Sequence, residues 1–252
     1  MLKNRLHVFL ICAVALAILP LALQGAGEAW VRIIDTALLY ILLALGLNIV
    51  VGFAGLLDLG YIAFYAVGAY LFALLASPHL VENLPAVAAM FPNGLHLPIW
   101  AAIPLGAGVA GMMGVLLGAP TLKLRGDYLA IVTLGFGEII RVFMNNLDAP
   151  VNITNGPKGI SSIESIHIGP LDLGESLHIG GFTLYSVTLY YYLFLAVVVF
   201  AVVISLRLHD SRLGRAWVAI REDEIAAKAM GLNTRNLKLL AFGLGASFGG
   251  VA

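Results

Sequence analysis

Long apolar runs alternate with short polar breaks along the whole chain. Residues 8–23, 31–51, 61–76, 97–118, 128–145 and 186–206 are each dominated by aliphatic and aromatic side chains. An α-helix rises 1.5 Å per residue, so about 20 apolar residues cross a hydrocarbon core of about 30 Å. The pattern therefore predicts about six complete transmembrane helices. The first run follows a short basic leader with Lys3 and Arg5. A signal-peptide core is the rival reading, but Pro20 interrupts the run and no well-formed small-residue cleavage site follows. A seventh run, 239–252, has only fourteen residues, too few to span. It predicts the start of a seventh helix, and a chain that is a C-terminally truncated piece of a longer protein. The expected fold is an all-α polytopic membrane protein, one transmembrane domain over 1–252, incomplete at its C-terminus.

The breaks carry their own signals. Gly52-Phe53-Ala54-Gly55, with Asp58 and Gly60 close behind, predicts an interrupted helix. Residues 77–96 hold Pro78, Pro85, Pro92, Asn93 and Gly94 and read as a loop that does not span. Residues 120–127 form a short polar turn with Lys123 and Arg125. The long stretch 146–185 is rich in Asn, Gly and Pro, and its Ile160, Ile163, Ile166 and Ile168 recur at strand-like spacing, so it predicts a short hairpin or a surface helix.

Composition sharpens this picture. The chain is 61% hydrophobic and only 11% charged, against about 25% charged in soluble domains. A soluble fold cannot hide that much apolar side chain, so lipid is the expected surrounding. Its 28 glycines suit helices that approach closely, because in lipid apolar burial no longer drives association. A net charge of zero suggests no nucleic-acid partner. The single Cys12 lies in an apolar run, and the six histidines are scattered without metal-ligand spacing. No phosphate loop, nucleophile triad or zinc signature occurs, so neither a catalytic residue nor a cofactor is expected.

Charge sets the orientation. Seven of the fourteen Lys and Arg lie in 207–238: Arg207, Arg212, Arg215, Arg221, Lys228, Arg235 and Lys238. With a cytoplasmic N-terminus, the inside carries eleven cations, and the outside two, Arg32 and Lys158. Excess positive charge stays cytoplasmic, which makes 77–96 and 146–185 external loops and 207–238 a cytoplasmic segment. Within it, acids at Glu222, Asp223 and Glu224 precede Ala-rich turns, where they suit the positive end of a helix, and Gly231 is placed to end that helix. Ile225, Ala229 and Leu232 share a face, which Ala226 and Met230 adjoin. Such a helix seats in a partner's groove or lies against lipid headgroups; spacing alone leaves both open.

Three ordered stretches carry a resemblance: residues 46–70 (GLNIVVGFAGLLDLGYIAFYAVGAY), 122–146 (LKLRGDYLAIVTLGFGEIIRVFMNN) with 154–160 (TNGPKGI), and 211–233 (SRLGRAWVAIREDEIAAKAMGLN). Together they resemble the branched-chain amino-acid permeases of bacterial ABC importers, in particular the LivM-type subunit. The resemblance implies a non-catalytic permease subunit in the bacterial inner membrane. It also implies a second, LivH-type permease, two cytoplasmic ATPase subunits, a periplasmic amino-acid-binding protein and surrounding lipid. By the same resemblance Arg215, Arg221, Glu222, Asp223, Glu224, Ala226, Ala227 and Gly231 would dock an ATPase, 207–238 being the coupling segment. Asn155, Gly156 and Lys158 would face the binding protein, where the residues alone give only a turn. The family continues with further helices beyond the point where this chain ends.

Gly52 and Gly55, at the break, and Asp58 beside it are candidates for the translocation pathway, since unwound backbone at membrane depth is tolerated only against protein or a water-filled cavity. The alternative is that Asp58 sits at the interface, where a carboxylate costs little. Glu138 is a further pathway candidate; its rival role is a salt bridge with Arg141 at i, i+3. The expected function is ATP-driven import of leucine, isoleucine or valine by alternating access. Alternatives are a permease for another small amino acid or amide, and a stand-alone secondary transporter or channel.

Overall fold

The structure is a computed structural model that describes residues 14–25, 27–91, 95, 97–122, 124, 126–169, 171–179 and 182–252. Lys3, Arg5, Cys12, Pro92, Asn93, Gly94, Lys123 and Arg125 lie outside the described residues, as does the predicted start of the first helix. Eleven α-helices occur among the described residues: α1 (Val14–Gln24), α2 (Glu28–Asn48), α3 (Ile62–Leu75), α4 (His79–Asn83), α5 (Pro85–Met90), α6 (Ile99–Thr121), α7 (Asp127–Asn146), α8 (Ser186–Asp210), α9 (Arg212–Glu222), α10 (Glu224–Ala229) and α11 (Thr234–Val251). A π-turn at Ile49–Phe53 prolongs α2.

Among the described residues, three helices are long and apolar enough to cross a membrane: Glu28–Phe53, Ile99–Thr121 and Ser186–Asp210. The remaining predicted spans are helices, but not all are full length. α3 has 14 residues, about 21 Å of helix against a core of about 30 Å. α7 has 20 residues and α11 has 18. α11 starts five residues before the predicted 239, because Asn233 caps it, its Oδ1 accepting from the Asn236 N–H at 3.1 Å. The apolar run alone hid that polar first turn.

The chain forms two compact units, Met1–Ile41 with Ile166–Phe200, and Leu42–Ser165 with Ala201–Ala252. In the first, two antiparallel hairpins precede α8, β1 (His167–Ile168) with β2 (Leu171–Asp172) and β3 (Leu177–Ile179) with β4 (Phe182–Leu184). The hairpin reading of 146–185 is therefore the one realised. Tyr191 is fully buried and donates to the Leu16 carbonyl at 2.7 Å, while Tyr192 donates to Ala17 O at 2.9 Å, tying α8 to α1. The Gln24 amide donates to Thr183 O at 2.8 Å.

The second unit is built on α11. Gly243, Ala246 and Gly250 on α11 meet Gly106, Ala110, Gly111 and Gly114 on α6, and Phe242 packs on Gly118. A Cβ at Gly114 would stand 2.5 Å from the Ala246 Cβ and 2.8 Å from the Phe242 carbonyl oxygen. Only small residues let two backbones lie this close, and dispersion then replaces the missing hydrophobic drive. The same helix meets α3 and the end of α2 through Gly245, Gly249 and Tyr61, whose hydroxyl donates to Gly245 O at 3.0 Å. Ala241 and Phe242 of α11 join Ile49, Val50, Ala54, Leu56, Leu129 and Trp217 in one buried cluster. The region 77–96, expected to be a loop, contains the short helices α4 and α5.

Candidate functional site

The 207–238 segment is not one helix but a folded loop of two. α8 runs on to Asp210, and Ser211 then caps α9, its hydroxyl accepting from the Gly214 N–H at 3.2 Å. Gly214 permits the corner: a Cβ there would lie 2.7 Å from the carbonyl carbon of His209. α9 ends at Glu222 because Asp223 turns extended and caps α10, its Oδ1 accepting from Ile225 N–H at 2.8 Å and Ala226 N–H at 3.0 Å. α10 closes with Gly231 at φ +84°, where Gly231 N–H reaches Lys228 O and Leu232 N–H reaches Ala227 O, both at 3.1 Å. That double bond around a left-handed glycine is the Schellman ending.

The residues assigned to docking divide accordingly. Asp223 and Gly231 shape the loop. Glu224 pairs with Lys238 at 2.7 Å and so ties α10 to α11. Ala227 is 4% exposed and turns inward. Arg215 donates to the Asp210 carbonyl at 2.7 Å, and Arg221 to the Gly52 carbonyl at 2.5 Å. Glu222 is exposed and Ala226 lies outward. The outward apolar surface is Ile225, Ala226, Ala229 and Met230, with Ile225 72% and Met230 85% exposed. Leu232, expected on that face, is half-buried.

Arg221 joins two features that the sequence kept apart. Its guanidinium reaches the π-turn, and its stem covers Gly55, where a Cβ would stand 2.5 Å from Arg221 Cγ. Gly55 has φ +67°, so glycine is required there by conformation and by space. Phe53 stacks at a tilt on His209, with ring centroids 5.2 Å apart. The fully buried Trp217 donates its indole N–H to Leu237 O at 2.7 Å. Sequence reasoning passed over Trp217; a lone Trp inside a charged amphipathic helix was the available signal.

From Ala54 to Gly60 the chain is irregular and its burial alternates, with Ala54, Leu56, Asp58 and Gly60 buried and Gly55, Leu57 and Leu59 outward. Asp58 is 4% exposed; its Oδ1 accepts from Gly60 N–H at 2.9 Å and its buried Oδ2 has no partner. It borders a cavity of about 10 Å³ that Thr121, Thr133 and Phe242 also line, space for about one water molecule. An aliphatic amino acid does not fit there in this conformation. Gly60 sits against the Thr133 backbone and Gly137 of α7. Glu138 and Arg141 form a forked ion pair on α7, Arg141 Nε reaching Glu138 Oε2 at 2.9 Å, both well exposed. Asp35, a second buried carboxylate with an unpartnered Oδ1, lies in α2 and went unremarked in the sequence.

The Asn155 stretch is the expected turn. Asn155 adopts φ +61°, its N–H bonds Asn152 Oδ1 at 2.8 Å and its amide reaches Gly159 O at 2.8 Å. Gly156–Lys158 forms a single 3₁₀ turn that leaves Lys158 exposed. No group of three or more His, Cys, Asp or Glu able to hold a metal ion occurs among the described residues.

Fold and site together define a multi-pass helical membrane protein with a compact charged loop between two of its helices. The chain belongs to the family described as branched-chain amino acid transport system / permease component, whose model matches residues 30–252. It is 40% identical over 256 residues to the high-affinity branched-chain amino acid transport system permease protein LivM of Escherichia coli K12, covering 97% of this chain and 55% of that protein. It is also 40% identical over 262 residues to the LivM of Salmonella typhimurium LT2, covering 99% and 56%. The chain thus spans about half the length of these relatives. No solved structure gives a significant match.

Proposed function

We propose that this chain is part of the membrane permease subunit of an ATP-driven importer for branched-chain amino acids, in a bacterial inner membrane with its N-terminus cytoplasmic. Family membership over 30–252 carries the reading. ATP hydrolysis is assigned to two partner ATPases, delivery to a periplasmic amino-acid-binding protein, and the other wall of the pathway to a second, LivH-type permease. The docking surface is the exposed face of α10, above all Ile225 and Met230. Two large apolar side chains raised on a short, well-capped helix suit a groove on a soluble partner. Arg215 and Glu222 belong to α9, the helix that precedes α10. Alternating access would follow when closure of the ATPases displaces the loop. Gly52, Gly55, Asp58 and Glu138 remain the proposed pathway residues, in a conformation more open than this one. The turn at Asn155, Gly156 and Lys158 is the proposed contact with the binding protein, on the external side together with 77–96.

Affinity-tagged full-length protein tests the reading. A nucleotide-hydrolysing subunit should co-purify with it, and Ile225→Asp combined with Met230→Asp should release that subunit while the permease stays in the membrane. Failure of any ATPase to accompany the wild-type protein refutes the importer reading.

A further inference from the structure

α10 offers the docking face, but α9 holds the ends of the helices that docking would have to move. Arg215 donates to Asp210 O at the end of α8. Trp217 donates to Leu237 O in the first turns of α11. Arg221 donates to Gly52 O at the end of the α2 span. Carbonyls at a helix C-terminus lack partners within the helix and carry partial negative charge, so an arginine there supplies both a donor and a matching charge. The π-turn makes the Gly52 carbonyl available. Ala54 N–H returns to Ile49 O at 3.3 Å and Leu56 N–H to Val50 O at 3.0 Å, and π-turns recur at functional sites in helices.

The geometry points to α9 as a rigid yoke that transmits movement of α10 into three membrane helices, with Arg221 the positioning residue that grips the π-turn of the first. The inference rests on the importer reading and assigns Arg221 a role other than ATPase docking. Its guanidinium is spent on Gly52 O and on Glu222 Oε1 at 3.2 Å, and its stem is seated on Gly55. One side chain thus couples a loop outside the spans to an unwound turn at the end of a span. A rigid arm with discrete seats transfers displacement, whereas an untethered loop would absorb it.

The test uses the full-length chain reconstituted in proteoliposomes with its partner permease, ATPases and binding protein. Assembly, ATP hydrolysis and uptake of radiolabelled leucine are measured on each preparation. Arg221→Ala should keep the ATPases bound and hydrolysing while leucine uptake per ATP falls about tenfold, the loss of a charged hydrogen bond. Arg221→Lys, which keeps a charged donor group but not the guanidinium fork, should recover part of the coupling. Gly55→Ala should act in the same direction by displacing the arginine stem, and add little to Arg221→Ala, as residues sharing one contact do. Wild-type coupling in Arg221→Ala overturns the inference. Release of the ATPases by Arg221→Ala or Arg221→Lys also overturns it, because that makes Arg221 a docking residue. Should Arg221→Ala not accumulate, Arg221→Lys and Gly55→Ala decide: undiminished coupling in both refutes the yoke. Absence of ATPases from the wild-type preparation instead removes the importer reading itself.

Discussion

Gly231 offers a clean measurement of what the shape of the loop costs to change. Its φ of +84° is a conformation that L side chains resist, yet an added Cβ would meet nothing within 4 Å. Gly231→Ala therefore introduces backbone strain without a clash, about 1–2 kcal/mol. The strain acts on two hydrogen bonds, Gly231 N–H to Lys228 O and Leu232 N–H to Ala227 O. A loss of that size raises the population of the frayed ending roughly 5–30-fold. Hydrogen exchange on the full-length protein in nanodiscs reads it directly. Protection of the Leu232 amide should fall by that factor in Gly231→Ala and by less in Gly231→Asn, since Asn tolerates the left-handed region. Amides around the buried Trp217 should be unchanged. Leu232 protection within about twofold of wild type in Gly231→Ala, the range of an ordinary surface change, would refute the argument that a left-handed glycine holds this ending.

Trp217→Ala empties a fully buried site and removes the bond to Leu237 O, so it should cost about 3–5 kcal/mol in thermal unfolding in detergent; Trp217→Phe, which keeps an aromatic ring and loses that hydrogen bond, should cost about 0.5–1.5 kcal/mol for the bond. Gly114→Leu forces α6 away from α11, since even an added Cβ would stand 2.5 Å from the Ala246 Cβ, and overpacking of about 1–3 kcal/mol or more should appear as lost monodisperse protein on size-exclusion chromatography. A cysteine at Lys158, in a Cys12-free background, should react with an impermeant thiol reagent from outside intact cells, and one at Lys228 should not; the reverse pattern would invert the proposed topology.

Much of the architecture was legible because lipid makes the rule simple: an apolar run of sufficient length becomes a helix. That rule located the helices over 31–51, 97–118 and 186–206. It erred at boundaries where polar chemistry acts. Asn233 starts α11 inside what looked like loop, whereas the helix expected between the acids and Gly231 is α10, with Asp223 as its cap. Both are caps, and Asp223 was read only as a charge suited to a helix start. The glycine break at 52–55 was legible as a break, but its purpose was not. Its partner, Arg221, lies 169 residues away from Gly52 in sequence, beyond the reach of any local pattern.

The sequence by itself determined the surrounding solvent, the helical class, the family and a short helix between the acids at 222–224 and Gly231. Those follow from composition, periodicity and local spacing, which act within a turn or two of the chain. Only the tertiary structure decided which charged residues are available to a partner. Arg215, Arg221, Asp223 and Glu224 looked alike on the chain as a charged cluster. Folded, each spends hydrogen bonds or charge on a carbonyl, an amide or a lysine of the protein itself. The physical reason is that helix ends leave backbone groups without partners, and which side chain supplies them depends on helices that only packing brings together.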